Sequence, residues 1–93
     1  MDYKEKYYIL ISEDIKKLLS ISPIFRKLFQ EEASNEELYK KSNYLNQIVS
    51  FEDFEKVIIK MKKILLKKDF YFNAKQVKNT KIQFTKEELK WEF

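Results

Sequence analysis

The chain has no glycine among its 93 residues, and this absence constrains its fold more than any other feature of the sequence. Glycine normally takes the positive φ angles of tight turns and lets a backbone approach a phosphate closely. The chain therefore has neither a Walker phosphate loop nor a glycine-rich dinucleotide-binding turn. Any left-handed turn position must use another residue type, and Asn79 in the Lys78-Asn79-Thr80 segment is the best candidate.

Cysteine and histidine are absent as well, which removes most catalytic and metal chemistry. There is no disulfide, no thiolate nucleophile and no sulfur-ligated zinc, and the commonest general base is missing. Adjacent acids such as Glu31 and Glu32 diverge by about 100° on a helix, so they do not form a catalytic pair. We expect no enzyme, no metal, no cofactor and no small-molecule substrate.

Positive charge is concentrated in one segment of the chain. Residues 1–55 carry 8 basic and 11 acidic side chains, whereas residues 56–86 carry 10 lysines and a single acid, Asp69. Residues 87–93 have a net charge of −2, which brings the formal total to +4. A local excess of this size predicts an acidic partner, such as RNA.

The hydrophobic pattern predicts a single α+β domain over residues 1–93, in which a small sheet packs against two or three helices. Short apolar or alternating runs predict strands. The predicted strands are residues 6–11, 44–49, 70–73 and 81–85, the last two joined by a turn at 78–80. Between the first two strands, residues 33–43 are polar and predict a loop, in which Leu38 and Tyr39 could anchor a short element.

Three serines precede the predicted helices. Ser12 starts the first, which carries Ile15, Leu18 and Leu19 on one face. Ser22, followed by Pro23 at the first helical position, starts a second helix that extends to about residue 32. Ser50 and Asp53 have the spacing of a capping box ahead of the third. The predicted core side chains are Phe25, Phe29, Phe54 and Ile58.

The third helix presents a row of lysines opposite its apolar stripe. We define the lysine face as Lys56, Lys60, Lys63 and Lys67. Lys75, Lys78 and Lys81 follow it near the predicted hairpin. These seven side chains are candidate contacts for nucleic-acid phosphates. The alternative interpretation is a solvated helix surface, which the absence of arginine favours, because lysine cannot make bidentate contacts.

The C-terminal residues 87–93 form a candidate partner-binding tail. Leu89, Trp91 and Phe93 would provide an exposed apolar element that binds a protein. In the alternative, the tail is docked on the domain. The Thr85-Lys86-Glu87-Glu88 segment predicts a capped helical turn, or the apolar residues alternate along a strand.

Two segments resemble the BTB/POZ superfamily. The run from Leu18 to Phe29, LLSISPIFRKLF, resembles the early helix of that family, and the run from Val49 to Ile58, VSFEDFEKVI, resembles a later one. The segment from Tyr8 to Asp14, YILISED, is similar to the first strand of the Skp1 and elongin C members. This resemblance implies a non-enzymatic adaptor that holds a protein partner through hydrophobic surface.

The order of the predicted elements also resembles the eukaryotic large-subunit ribosomal protein twenty-two-e. In this chain the predicted order is a strand, a helix, a hairpin, a lysine-rich helix ending at Leu65-Leu66-Lys67-Lys68, and a final hairpin. This resemblance implies a small basic RNA-binding protein. A third interpretation is a small viral inhibitor that binds a host or bacterial target.

The N-terminal region predicts an intracellular protein of the cytoplasm or the nucleus. Its apolar run from Tyr7 to Ile11 is too short for a signal peptide or a membrane span. We therefore expect a protein or RNA partner and no membrane.

Overall fold

The computed structural model describes residues 3–67 and 84–92, and within these ranges it is built from helices. The helices are α1 (Tyr3–Ile21), α2 (Pro23–Gln30), α3 (Asn35–Lys40), α4 (Leu45–Ile48) and α5 (Phe51–Lys67). No strand occurs in these residues, so the α+β prediction with a small sheet is wrong for them. The predicted strand at 70–73, most of that at 81–85 and the turn at Asn79 lie outside the described residues.

The first predicted strand, residues 6–11, is part of the long helix α1. The buried side chains of α1 recur at intervals of three and four residues; they are Tyr8, Ile11, Ser12, Ile15, Leu18 and Leu19. These intervals are those of a helix, and they continue without a break from the apolar run at residues 6–11 into the stripe of Ile15, Leu18 and Leu19. Ser12 therefore does not start a helix: its hydroxyl donates to the Tyr8 carbonyl at 2.8 Å, within the helix.

Helix α2 begins as the sequence predicts. The backbone N–H of Phe25 donates to Ser22 Oγ at 3.2 Å, and Pro23 occupies the first turn. The helix ends at Gln30 rather than near residue 32, because Glu32 turns the chain with a φ of 55°. A glycine would normally take this position, and here a glutamate does.

Of the two interpretations of residues 33–43, the short element at Leu38 and Tyr39 is confirmed: it is α3, which Ser34 caps by accepting the N–H of Glu37 at 3.3 Å. The predicted strand at 44–49 is wrong, since Leu45–Ile48 forms the short helix α4 and only Val49 is extended. Asn43 precedes α4 with a φ of 56°. The two left-handed positions in the described residues are thus filled by Glu32 and Asn43.

Helix α5 packs against α1 and α3. The predicted cap at Ser50 is confirmed, because the Asp53 N–H donates to Ser50 Oγ at 3.2 Å. The predicted core residues Phe25, Phe29, Phe54 and Ile58 are all buried. They belong to one cluster with α1 and α3 side chains, including Ile15, Leu19, Leu38, Met61 and Leu65. None of the described helices is long and apolar enough to cross a membrane.

Candidate functional site

The lysine face lies opposite the buried stripe of α5. That stripe consists of Phe54, Val57, Ile58, Met61 and Leu65, and it fixes which side of the helix faces outward. Lys56, Lys63 and Lys67 are exposed. At 1.5 Å per residue, they are spaced by about 10.5 Å and about 6 Å along the helix axis. The structure therefore presents three ammonium groups in a row on one helix.

These three lysines have no acidic partner among the described residues. On α1, by contrast, Lys16 forms an ion pair with Glu13 at 3.2 Å. The nearby carboxylate of Glu55 accepts a hydrogen bond from Asn35 Nδ2 at 3.2 Å instead. No carboxylate of the described residues therefore forms an ion pair within 4.0 Å with the ammonium groups of this row.

Lys60 differs from the other members of the lysine face because the C-terminal residues cover it. Its ammonium lies 4.2 Å from the centroid of the Trp91 ring, which is within cation–π range, and it donates a hydrogen bond to the carbonyl of Lys90. Burial lowers the pKa of Lys60, whereas the charges of Glu92 and Glu5 act in the opposite direction. Lys60 is therefore engaged within the protein.

Lys62 is a further lysine of α5, and it faces the α2 and α3 side of the helix. Its ammonium donates to Asn35 Oδ1 at 3.2 Å and lies 5.4 Å from the centroid of Phe29. Burial lowers the pKa of Lys62 as well. Lys62 therefore connects α5 with α2 and α3, and it lies on a different side of α5 from the lysine face.

The C-terminal segment, which we call the strap and define as residues 84–92, docks on the helices. Its turn is closed by two reciprocal bonds: Thr85 N–H donates to Glu88 Oε1 at 2.8 Å, and Glu88 N–H donates to Thr85 Oγ1 at 3.2 Å. This is the capped turn that the sequence offered as one alternative. The strand alternative is wrong for the described residues.

The strap places two of the three predicted partner-binding residues against the domain. Leu89 is buried, with 8% of its surface exposed, and Trp91 packs against the core cluster. The Trp91 ring lies 4.6 Å from the ring of Tyr8, centroid to centroid. Phe93 lies outside the described residues. Leu89 and Trp91 thus contact the protein itself, and a role in partner binding stays a prediction.

The predicted phosphate contacts Lys75, Lys78 and Lys81 also lie outside the described residues, so the structure positions only the lysine face itself. Two contacts were missed by sequence reasoning: Tyr8 with Asp53, and Lys60 with Trp91. The helical spacing of the side chains from Tyr8 to Ile15 was a sequence signal for the contact between Tyr8 and Asp53. No sequence signal pairs Lys60 with Trp91, because docking of the strap depends on tertiary packing.

The hydroxyl groups of the chain's six serines all bond to backbone. Ser22, Ser34 and Ser50 cap helices, and the other three donate to carbonyls in the preceding turn. A serine held in this way is not paired with a base that would activate it. Within residues 3–67 and 84–92, no cluster of acidic side chains could hold a metal ion. The exposed ammonium groups of this arrangement can bind an anion.

No protein-family model, curated protein or solved structure matches this chain. The resemblances to the BTB/POZ superfamily and to ribosomal protein twenty-two-e therefore stay predictions.

Proposed function

We propose that this protein binds RNA, without catalysing a reaction, through contacts of Lys56, Lys63 and Lys67 with backbone phosphates. The observation that carries the proposal is that these three ammonium groups are exposed in one row of α5 and have no carboxylate within 4.0 Å in the described residues. An unpaired lysine can bind a phosphate without first breaking an ion pair. Each such contact releases a counterion from the nucleic acid, which makes binding favourable.

The chemistry of the row favours binding that is independent of base sequence. Lysine is a point charge with flexible reach, and the only arginine of the chain, Arg26, lies in α2. Contacts to phosphate hold a nucleic acid in place but carry no base information. We expect RNA oligonucleotides of unrelated sequence to bind with similar affinity, and single-stranded DNA of equal length to bind comparably.

The test is the affinity for a fluorescent single-stranded RNA, measured by anisotropy at about 0.1 M salt. Loss of one phosphate contact to a single strand weakens binding about fivefold at this salt concentration, so the Lys56→Ala, Lys63→Ala, Lys67→Ala variant should bind about 100-fold more weakly. The matched control is Lys17→Ala, Lys27→Ala, Lys41→Ala, which removes the same charge from exposed lysines outside α5. Equal losses in the two triple variants would contradict the proposal.

A second candidate function, binding of a protein partner as an adaptor, is supported by an apolar row on α1. Tyr3, Leu10 and Ile21 are largely exposed, and their spacings of seven and eleven residues are close to whole helical turns. These side chains are separate points with charged residues between them, and each could anchor a protein partner. This surface lies on α1 and does not involve Leu89 or Trp91.

The adaptor function is tested by a pulldown at high salt, where contacts to phosphates are weak. Protein partners held by the wild type should be lost when Leu10→Lys and Ile21→Lys are combined, while the α5 triple variant should retain them. If the double variant keeps every partner, the α1 row is not an interaction surface.

A further inference from the structure

The strap lies over one member of the lysine face and leaves the others open. The Trp91 ring contacts Tyr8 of α1 and Lys60 of α5, at centroid distances of 4.6 Å to the Tyr8 ring and 4.2 Å to the Lys60 ammonium. The carbonyl of Lys90 accepts a hydrogen bond from the same ammonium. Lys60 therefore belongs to the row by its position on the helix, but the strap occupies it.

The docked strap leaves polar groups poorly satisfied. The indole Nε1–H of Trp91 is buried and has no hydrogen-bond partner among the described residues. Lys60 is partly removed from water, as its lowered pKa also indicates. An unpaired buried donor and a desolvated ammonium both oppose docking, against the burial of Leu89 and the Trp91 ring. Because these two costs offset part of the favourable burial, a competing ligand can displace the strap.

The strap also carries negative charge to this site. Glu92 lies close enough to Lys60 for its charge to favour the protonated ammonium, as does Glu5 of α1. The Lys90 carbonyl accepts a hydrogen bond from the Lys60 ammonium, and the charges of Glu92 and Glu5 act on the same ammonium. The strap thus supplies Lys60 with an acceptor and a negative charge, and a phosphate would supply both as well.

We propose that the strap is an internal competitor of RNA, which withholds Lys60 from the lysine face while it is docked and leaves it when RNA binds. This inference rests on the proposed RNA-binding function and concerns the regulation of the same surface. Because the equilibria are linked, RNA favours the released strap, and the docked strap lowers the apparent affinity for RNA. Release adds Lys60 to the row formed by Lys56, Lys63 and Lys67.

Trp91 is the only tryptophan of the chain, so its fluorescence reports on the strap directly. When the full-length protein is titrated with a single-stranded RNA, the emission should shift to longer wavelength and acrylamide should quench it more strongly. The changes should saturate together with the RNA anisotropy. Unchanged or lower access of acrylamide at saturating RNA would overturn the proposal, because the indole would then have stayed covered.

A double-mutant cycle tests the competition without fluorescence. In the wild type, Lys60→Ala should weaken RNA binding less than twofold, because the lost contact is offset by easier release of the strap. In a Trp91→Ala background, Lys60→Ala should cost the full factor of about five, as Lys63→Ala should in both backgrounds. Equal effects of Lys60→Ala in the two backgrounds would overturn the proposal.

If circular dichroism shows that Trp91→Ala does not fold, Glu92→Gln provides the second test. It should tighten RNA binding more than Glu31→Gln, which removes the same charge from an exposed residue outside the strap. Equal changes would count against the competitor role. If RNA does not bind at all, the proposed function fails; if RNA binds through Lys56, Lys63 and Lys67 while Trp91 stays covered, only the strap inference fails.

Discussion

The phenol of Tyr8 donates a hydrogen bond to Asp53 Oδ1 at 3.0 Å, and this bond joins the N-terminal helix α1 to the first turn of α5. Tyr8→Phe keeps the ring that packs against Trp91 and removes only the hydroxyl. A hydrogen bond to a charged group contributes about 1.5–3 kcal/mol, so we expect the free energy of unfolding to fall by about 1.5 kcal/mol. Urea denaturation measures the change. Tyr3→Phe, at an exposed position of the same helix, should have no effect; equal stability of Tyr8→Phe and wild type would contradict the assignment.

The same contact predicts a dependence of stability on alkaline pH. Burial raises the pKa of Tyr8 above its ordinary value of 10.0, and the hydrogen bond and charge of Asp53 act in the same direction. The folded state therefore holds the phenol proton at a pH where the unfolded chain releases it, so this contribution is complete below pH 10 and declines above it. The stability difference between wild type and Tyr8→Phe should stay constant up to about pH 10 and shrink as the pH rises further. A constant difference would show that the Tyr8 proton is not linked to folding.

The cap of α5 predicts a position-dependent effect of serine replacement. Ser50→Ala removes the acceptor of the Asp53 N–H and should cost about 1 kcal/mol of unfolding free energy. Ser20→Ala is the matched control, because Ser20 lies near the end of α1, where its hydroxyl only bonds back to the Lys16 carbonyl. Alanine is favourable inside a helix, so this control should be neutral or slightly stabilising. Thermal unfolding of both variants measures these effects, and a similar loss of stability in the two would argue against the cap.

The left-handed backbone conformation of Glu32 predicts that glycine at this position would stabilise the protein. A non-glycine residue at a φ of 55° is disfavoured by about 1–2 kcal/mol, whereas glycine adopts this angle freely but costs more backbone entropy on folding. Glu32→Gly should therefore stabilise the protein by up to about 1 kcal/mol. Glu31→Gly removes the same charge at a φ of −80° and should destabilise it. The prediction fails if denaturation shows both variants to be destabilised equally.

The parts of the fold that could be predicted from the sequence depend on short-range interactions. The caps at Ser22 and Ser50 and the apolar stripe of α5 are encoded within a few residues. The strand predictions at residues 6–11 and 44–49 were wrong. The run from Tyr7 to Ile11 is apolar on every side, and only its continuation to Leu19 distinguishes a helix from a strand. Helix α4 has four residues and depends on packing more than on propensity.

The candidate site was predictable to the same extent. Helical spacing placed Lys56, Lys63 and Lys67 on an outer face, where the structure has them. The separate behaviour of Lys60 could not be predicted, because its partner Trp91 lies far away in the sequence and reaches it only through the docked strap. The burial of Leu89 has the same origin: a terminal apolar residue is exposed or docked according to the tertiary surface it meets.

The central claim, that Lys56, Lys63 and Lys67 bind phosphates, is tested most directly by the salt dependence of RNA binding. Each phosphate neutralised on a single strand contributes about 0.7 to the slope of log affinity against log salt. The α5 triple variant should therefore show a slope smaller by about 2 than that of the wild type, while the Lys17→Ala, Lys27→Ala, Lys41→Ala variant keeps the wild-type slope. A slope that stays the same in the α5 variant would contradict the account.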